Sequence, residues 1–159
     1  MSTGILRPLD HLAPDAARRL VGARYGVILL PMRPAPVLDA TLEARLAGEL
    51  LQLGISPEGL AGAELLDMAF REGLMPEWRC PYGRGGDQLW VRDLWAVVGG
   101  EYRLCSLYTP PEGVCVDWRP AHSMPRAAAR LVLQIDDVGV AADGCGALVW
   151  RVEVEVVRP

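Results

Sequence analysis

Two segments hold most of the residues with chemical reach. The first is residues 80–96, CPYGRGGDQLWVRDLWA. Gly83, Gly85 and Gly86 can take left-handed backbone conformations, so the turn can be tight. Asp87 can accept hydrogen bonds from nearby amides and set up the strand that follows. Arg92 and Asp93 interrupt an otherwise apolar strand. Adjacent strand residues face opposite sides, so the two cannot simply pair with each other, and one is expected to look into a cleft. A buried charge costs several kcal/mol unless it is paired, and either a structural ion pair or a ligand would meet that need. A phosphate loop is disfavoured, because no Lys-Ser/Thr end is present and a strand rather than a helix follows.

The second segment is residues 116–133, VDWRPAHSMPRAAARLVL. It gathers Trp118, Arg119, His122, Arg126 and Arg130 around two prolines. If RAAAR forms a helical turn, Arg126 and Arg130 share a face. Guanidinium forks, a stacking Trp and a titratable His suit phosphate. A surface loop whose arginines pair with Asp117, Asp136 or Asp137 fits the same pattern. Asp93 and His122 could act as a proton-transfer pair if the fold brought them within hydrogen-bond reach. No Ser or Cys nucleophile can be placed beside His122 from sequence.

The rest of the composition narrows the chemistry. All sixteen basic residues are Arg, so a mechanism that needs a Lys base or Schiff base is excluded. The formal charge is −4, with no overall basic footprint. Residues 76–130 nevertheless hold seven Arg against six acids, while residues 1–75 hold seven against nine and residues 131–159 two against five. Cys80, Cys105, Cys115 and Cys145 show no CxxC spacing, and His11 is far from His122. No metal and no cofactor are expected, and the thiols are expected to be free and mostly buried. No apolar run approaches the roughly 20 residues of a membrane span. The opening MSTGILRPLD lacks the regions of a signal peptide, which makes a cytoplasmic protein the expectation.

The elements that must position these residues fall into two halves. Residues 1–36 read as strand, helix, strand: ILRPL as an edge strand, a helix from Pro14 that stops at Gly22, and YGVILLP as a buried strand. Residues 39–73 read as a helical hairpin. Asp39 caps a helix with Leu42, Leu46, Leu50 and Leu53 in one stripe, and Gly54 ends it. Ser56 caps the next helix, with Pro57 at its first position and Gly73 at its close. That helix carries Glu58, Glu64, Asp67 and Glu72 against Arg71, which argues against a DNA-recognition helix. From residue 87 the period is two: DQLWVRDLWAVV, EYRLCSLY, VCVDW, ARLVLQIDDVGV and ALVWRVEVEVV are expected strands. The expected fold is α+β, a single domain over residues 1–159, built as a small β-barrel with helices packed outside.

The two chemical segments, in this order, resemble the ASCH domain, a relative of PUA domains, and more closely a group of phage and prophage ASCH proteins. The residues that carry the likeness are Cys80-Pro81-Tyr82-Gly83, Gly86-Asp87, Leu89-Trp90-Val91-Arg92-Asp93 and Trp95, then Trp118-Arg119-Pro120, His122, Met124-Pro125-Arg126 and Ala129-Arg130. The likeness covers residues 80–157. The family's Gly-x-Lys-x-x-Glu-x-Arg motif is reduced to Gly22, Arg24, Val27 and Leu29, and Asp93 stands where the family has Glu. The hairpin 39–73 is an insertion or replacement. Some ASCH members hydrolyse acetylated cytidine through a Lys-Thr-Glu arrangement, and others have been linked to RNA cleavage. With no lysine in the chain, the resemblance implies loss of the Lys-dependent hydrolase.

The resemblance therefore implies a PUA-like barrel, phage or prophage encoded, that binds nucleic acid, RNA ahead of DNA. Arg84, Arg92, Arg119, Arg126 and Arg130 are expected to meet phosphates or base edges. Tyr82 and Trp118 are expected to stack on bases, with His122 beside them. One alternative is an RNA-processing or nucleoside-modifying hydrolase that uses Asp93 and His122. Another is a protein-interaction module that docks through hairpin 39–73.

Overall fold

The computed structural model describes residues 4–10 and 12–158, so His11 lies outside it. The chain is α+β, with three α-helices, a five-stranded sheet in the order β1-β3-β6-β7-β2 and a two-stranded sheet β4-β5. It divides into two compact units. Unit 1 holds residues 1–28, 82–137 and 153–159; unit 2 holds residues 29–81 and 138–152.

In unit 1, β1 (Leu6–Leu9) is the edge strand expected from Pro8 and pairs in parallel with β3 (Gln88–Val91). Helix α1 (Pro14–Ala23) runs past Gly22 and ends at Arg24, whose φ of 67° is left-handed and whose N–H bonds to the Leu20 carbonyl at 3.0 Å. A single residue in that conformation closes a helix whatever its side chain, if the last carbonyl is met. Strand β2 (Tyr25–Pro31) is last in the sheet order, and its burial alternates. Ile28 and Leu30 are buried while Tyr25, Val27 and Leu29 are exposed, so YGVILLP is not the doubly covered strand that its continuous apolar run suggests. Where a sheet is covered on one side only, alternate side chains of a strand lie in water.

The expected strand over residues 87–98 is broken. β3 ends at Val91, and β4 (Trp95–Val98) belongs to the other sheet, paired antiparallel with β5 (Glu101–Leu104). Arg92 and Asp93 therefore lie in the connection, where strand alternation no longer separates them. A 3-10 turn follows β5 at Cys105–Leu107. VCVDW forms no strand; Arg119, just after it, makes an isolated bridge with Trp95. β6 (Val132–Ala142) pairs antiparallel with β3. In β7 (Leu148–Arg158), Trp150, Val152, Val154 and Val156 are buried and the residues between them are half-exposed, which matches the expected alternation.

Unit 2 contains the helical hairpin. Asp39 caps α2 (Ala40–Gln52) by accepting from the Leu42 amide at 2.9 Å. Leu46 and Leu50 of the expected stripe are fully buried, but Leu53 is exposed because the helix has ended at Gln52. The next helix does not start at Ser56. Ser56 makes only a local bond to the Glu58 amide at 3.3 Å, and α3 (Ala63–Arg71) starts after Gly62, whose amide is held by Glu43 of α2 at 3.0 Å. The Ser-Pro signature marks a turn here, because Gly59 and Gly62 both take positive φ and break any helix through 57–62. Gly73, with φ 74°, closes α3 as expected.

Among the described residues, no helix is long and apolar enough to cross a membrane.

Candidate nucleic-acid interface

Both chemical segments lie in unit 1, and a small core joins them. Trp95 and Leu104 of the β4-β5 hairpin pack with Met124, Ala128 and Ala129 of the second segment. The Trp95 indole N–H donates to the Pro120 carbonyl at 3.1 Å and to Ser123 Oγ at 3.2 Å. The backbones of Trp95 and Arg119 exchange two further bonds, at 3.2 and 2.8 Å. The second segment is thus a loop with two 3-10 turns, Ala121–Ser123 and Arg126–Ala128, seated on one tryptophan.

The first segment spends its charges on the fold. Asp87 is buried, and its carboxylate accepts from the Ile5 amide at 2.9 Å, the Arg7 guanidinium at 2.7 Å and the Arg84 amide at 3.1 Å. The Ile5 amide, with help from Arg7 and the Arg84 amide and against the cost of burial, holds Asp87 below the usual carboxylate range. Gly83 has to be glycine here: its φ is 129°, and a Cβ would sit 2.8 Å from the Asp87 carboxylate. Arg92 makes a bidentate pair with Asp10, at 2.5 and 2.6 Å, and lies over Trp90 at 5.6 Å. The Asp10 carboxylate raises the Arg92 pKa from its ordinary value despite desolvation. Arg92 is therefore in a structural ion pair, the first of its two expected roles.

Asp93 is also committed. Its carboxylate accepts from the Leu94 amide at 2.8 Å and from the Ser106 amide at 2.8 Å, which fastens the 3-10 turn after β5. Among the described residues, no hydrogen bond or ion pair joins Asp93 to His122, which is exposed. Burial, with the Asp93 charge, pushes the Cys105 thiol up against the opposing pull of Arg18, so it is a poor thiolate at neutral pH. Cys80 and Cys105 are only half-buried and Cys115 and Cys145 are exposed, so the thiols are not mostly buried as expected. Among the described residues, no cluster of His, Cys, Asp and Glu could hold a metal ion.

The second segment keeps its charges outside. Arg119, His122, Arg126 and Arg130 are all exposed. Arg119 lies over Trp95 at 5.0 Å. Arg130 donates to the Tyr102 carbonyl at 3.2 and 3.4 Å. Among the described residues, no carboxylate pairs with Arg119, Arg126 or Arg130, so the expected alternative of pairing with Asp117, Asp136 or Asp137 is not realised. RAAAR makes one 3-10 turn that ends at Ala128, with Ala129 extended, so Arg126 and Arg130 do not share a helical face. Trp118 is half-buried and meets Tyr108 edge-on, at 6.4 Å between ring centroids. Arg103 lies over the other partner of that pair, 5.0 Å from the Tyr108 ring, and bonds Glu101 at 2.7 Å. Its Nε is buried with no hydrogen-bond partner among the described residues. Sequence reading missed Tyr108 and Arg103; Tyr108 sits ten residues before Trp118 in a segment that reads as a strand, and only the 3-10 turn at 105–107 turns it toward Trp118. From the first segment, Tyr82 is half-buried and Arg84 is exposed, with its backbone amide on Asp87.

No family model, no curated protein and no solved structure matches the chain.

Proposed function

We propose that the chain is a nucleic-acid-binding protein, RNA ahead of DNA, and a divergent ASCH-like relative of the PUA barrels, of phage or prophage origin. The observation that carries this reading is the loop over residues 118–130: three exposed arginines without carboxylate partners among the described residues, beside an exposed His122. Exposed guanidinium groups with no carboxylate partner can take phosphate, Arg130 with the N–H groups not given to the Tyr102 carbonyl, and half-buried Trp118 and Tyr108 offer ring edges and faces to unpaired bases. Charge distribution supports it further. Unit 1 has eleven Arg and eleven acids, whereas unit 2 has five and nine, so the whole net negative charge belongs to unit 2. Arg92 does not belong to the proposed surface, because Asp10 occupies its fork.

The reading is non-enzymatic. The carboxylate that a hydrolase would need at Asp93 holds two backbone amides instead. The test is fluorescence anisotropy against structured RNA, single-stranded RNA, single-stranded DNA and duplex DNA at two salt concentrations. The expected result is micromolar or tighter RNA binding that weakens with salt. R119E/R126E should abolish it, and the neutral R119Q/R126Q should remove about 1.4 from the salt slope on single strands, ~0.7 for each phosphate contact. RNA affinity unchanged by R119E/R126E would refute the site.

A further inference from the structure

Unit 2 has its own concentration of cation and aromatic surface. Met32, Arg33, Glu77, Trp78, Arg79 and Trp150 line a pocket of ≈ 260 Å³. That is just below the usual range of small-molecule sites, roughly 300–1,000 Å³, and suits a single nucleotide rather than an oligomer. Arg33 and Arg79 are exposed, and among the described residues neither has a carboxylate partner. That contrasts with Arg45 and Arg71 of the same unit, which pair with Glu49 at 3.9 Å and Asp67 at 3.1 Å within their helices.

The floor of the pocket is aromatic and fixed. Trp150 is buried and packs edge-on against Phe70, 5.1 Å between centroids. Trp78 is half-buried, lines this pocket, and also lines a small void of ≈ 10 Å³ with Leu66, Phe70 and Met75. Its amide is tied to the Met75 carbonyl at 2.9 Å, which orders the turn that carries it. A partly exposed indole held from behind is a stacking surface with little ordering cost. Two unpaired guanidinium groups beside it favour an anion joined to the stacked ring. Glu77 is the one carboxylate in the lining and can accept ring N–H groups, a match for the adjacent donors of guanine.

We infer that this pocket binds a nucleoside monophosphate, with the phosphate on Arg33 and Arg79 and the base against Trp78. The site shares no residue with the arginine loop of unit 1 and stands whether or not that loop binds RNA.

Isothermal titration calorimetry of the full chain with 5′-GMP, guanosine and inorganic phosphate tests it. The expected result is that GMP binds at least tenfold more tightly than either fragment. R33Q/R79Q, at exposed positions that leave the fold intact, should weaken GMP at least tenfold and leave the thermal midpoint unchanged. W78L should weaken GMP while sparing any residual phosphate binding. No heat with millimolar GMP, equal affinity for GMP and inorganic phosphate, or GMP binding untouched by R33Q/R79Q would each overturn the assignment.

Discussion

Residues 80–93 and residues 118–130 have similar ingredients, arginines and aromatic rings punctuated by glycine or proline, and use them in opposite ways. In the first, Asp87 holds Arg7 and two amides, and Arg92 is locked to Asp10. In the second, Arg119 and Arg126 pair with no carboxylate among the described residues, while Trp95, beneath Arg119, takes the packing. The difference lies in glycine against proline. Gly83 and Gly86, both at positive φ, fold the first segment tightly over its own acid. Pro120 and Pro125 are extended and each precedes a 3-10 turn, while Arg119, Arg126 and Arg130 stay in water.

If that contrast is right, the two segments break differently. The largest loss of stability is expected for D87A, about 3 kcal/mol by chemical denaturation, because it strands Arg7 and two amides at a buried site. W95A follows at about the same size or slightly less, since it removes a buried indole and both of its hydrogen bonds. G83A should cost about 1–3 kcal/mol, from a φ that L residues rarely adopt and from contact with the Asp87 carboxylate. R119E/R126E should change stability by less than about 0.5 kcal/mol while abolishing RNA binding. If the double charge reversal unfolds the protein, the second segment is structural too and the contrast fails.

A pH series sharpens the same comparison. The folded pKa of Asp87 is depressed, so its contribution is full above the unfolded value of about 3.9 and is lost as pH falls toward the folded value. The stability gap between wild type and D87N, measured by urea denaturation, should therefore be largest near neutrality and shrink below about pH 4. A gap that does not change with pH would mean that Asp87 acts through hydrogen-bond geometry and not through its charge.

Local signals carried the reading furthest where one residue decides the outcome. Asp39 as cap, Gly73 as stop, Pro8 at an edge, the Asp87 bond to the Arg84 amide and the alternation of β7 are all written in nearest neighbours. What stayed hidden depends on partners far along the chain. Arg92 meets Asp10 from 82 residues away, and nothing near Arg92 announces it. The break between β3 and β4 is hidden for the same reason: LWVRDLWAVV has an unbroken strand composition, and the bonds made at the break, Arg92 to Asp10 and Asp93 to the Ser106 amide, reach residues distant in sequence. At the interface, the arginines were legible by type. Their freedom from carboxylates was not, because Asp117, Asp136 and Asp137 are equally near in sequence.

The order β1-β3-β6-β7-β2 leaves two unlike margins. β1 is four residues long and includes Pro8, which has no N–H to offer an incoming strand. β2 is seven residues long and leaves Tyr25, Val27 and Leu29 in solvent. Of these two margins, the one bounded by β2 is the longer and carries the more exposed apolar side chains, so an incoming strand would find more to pair with and more to cover there than along β1.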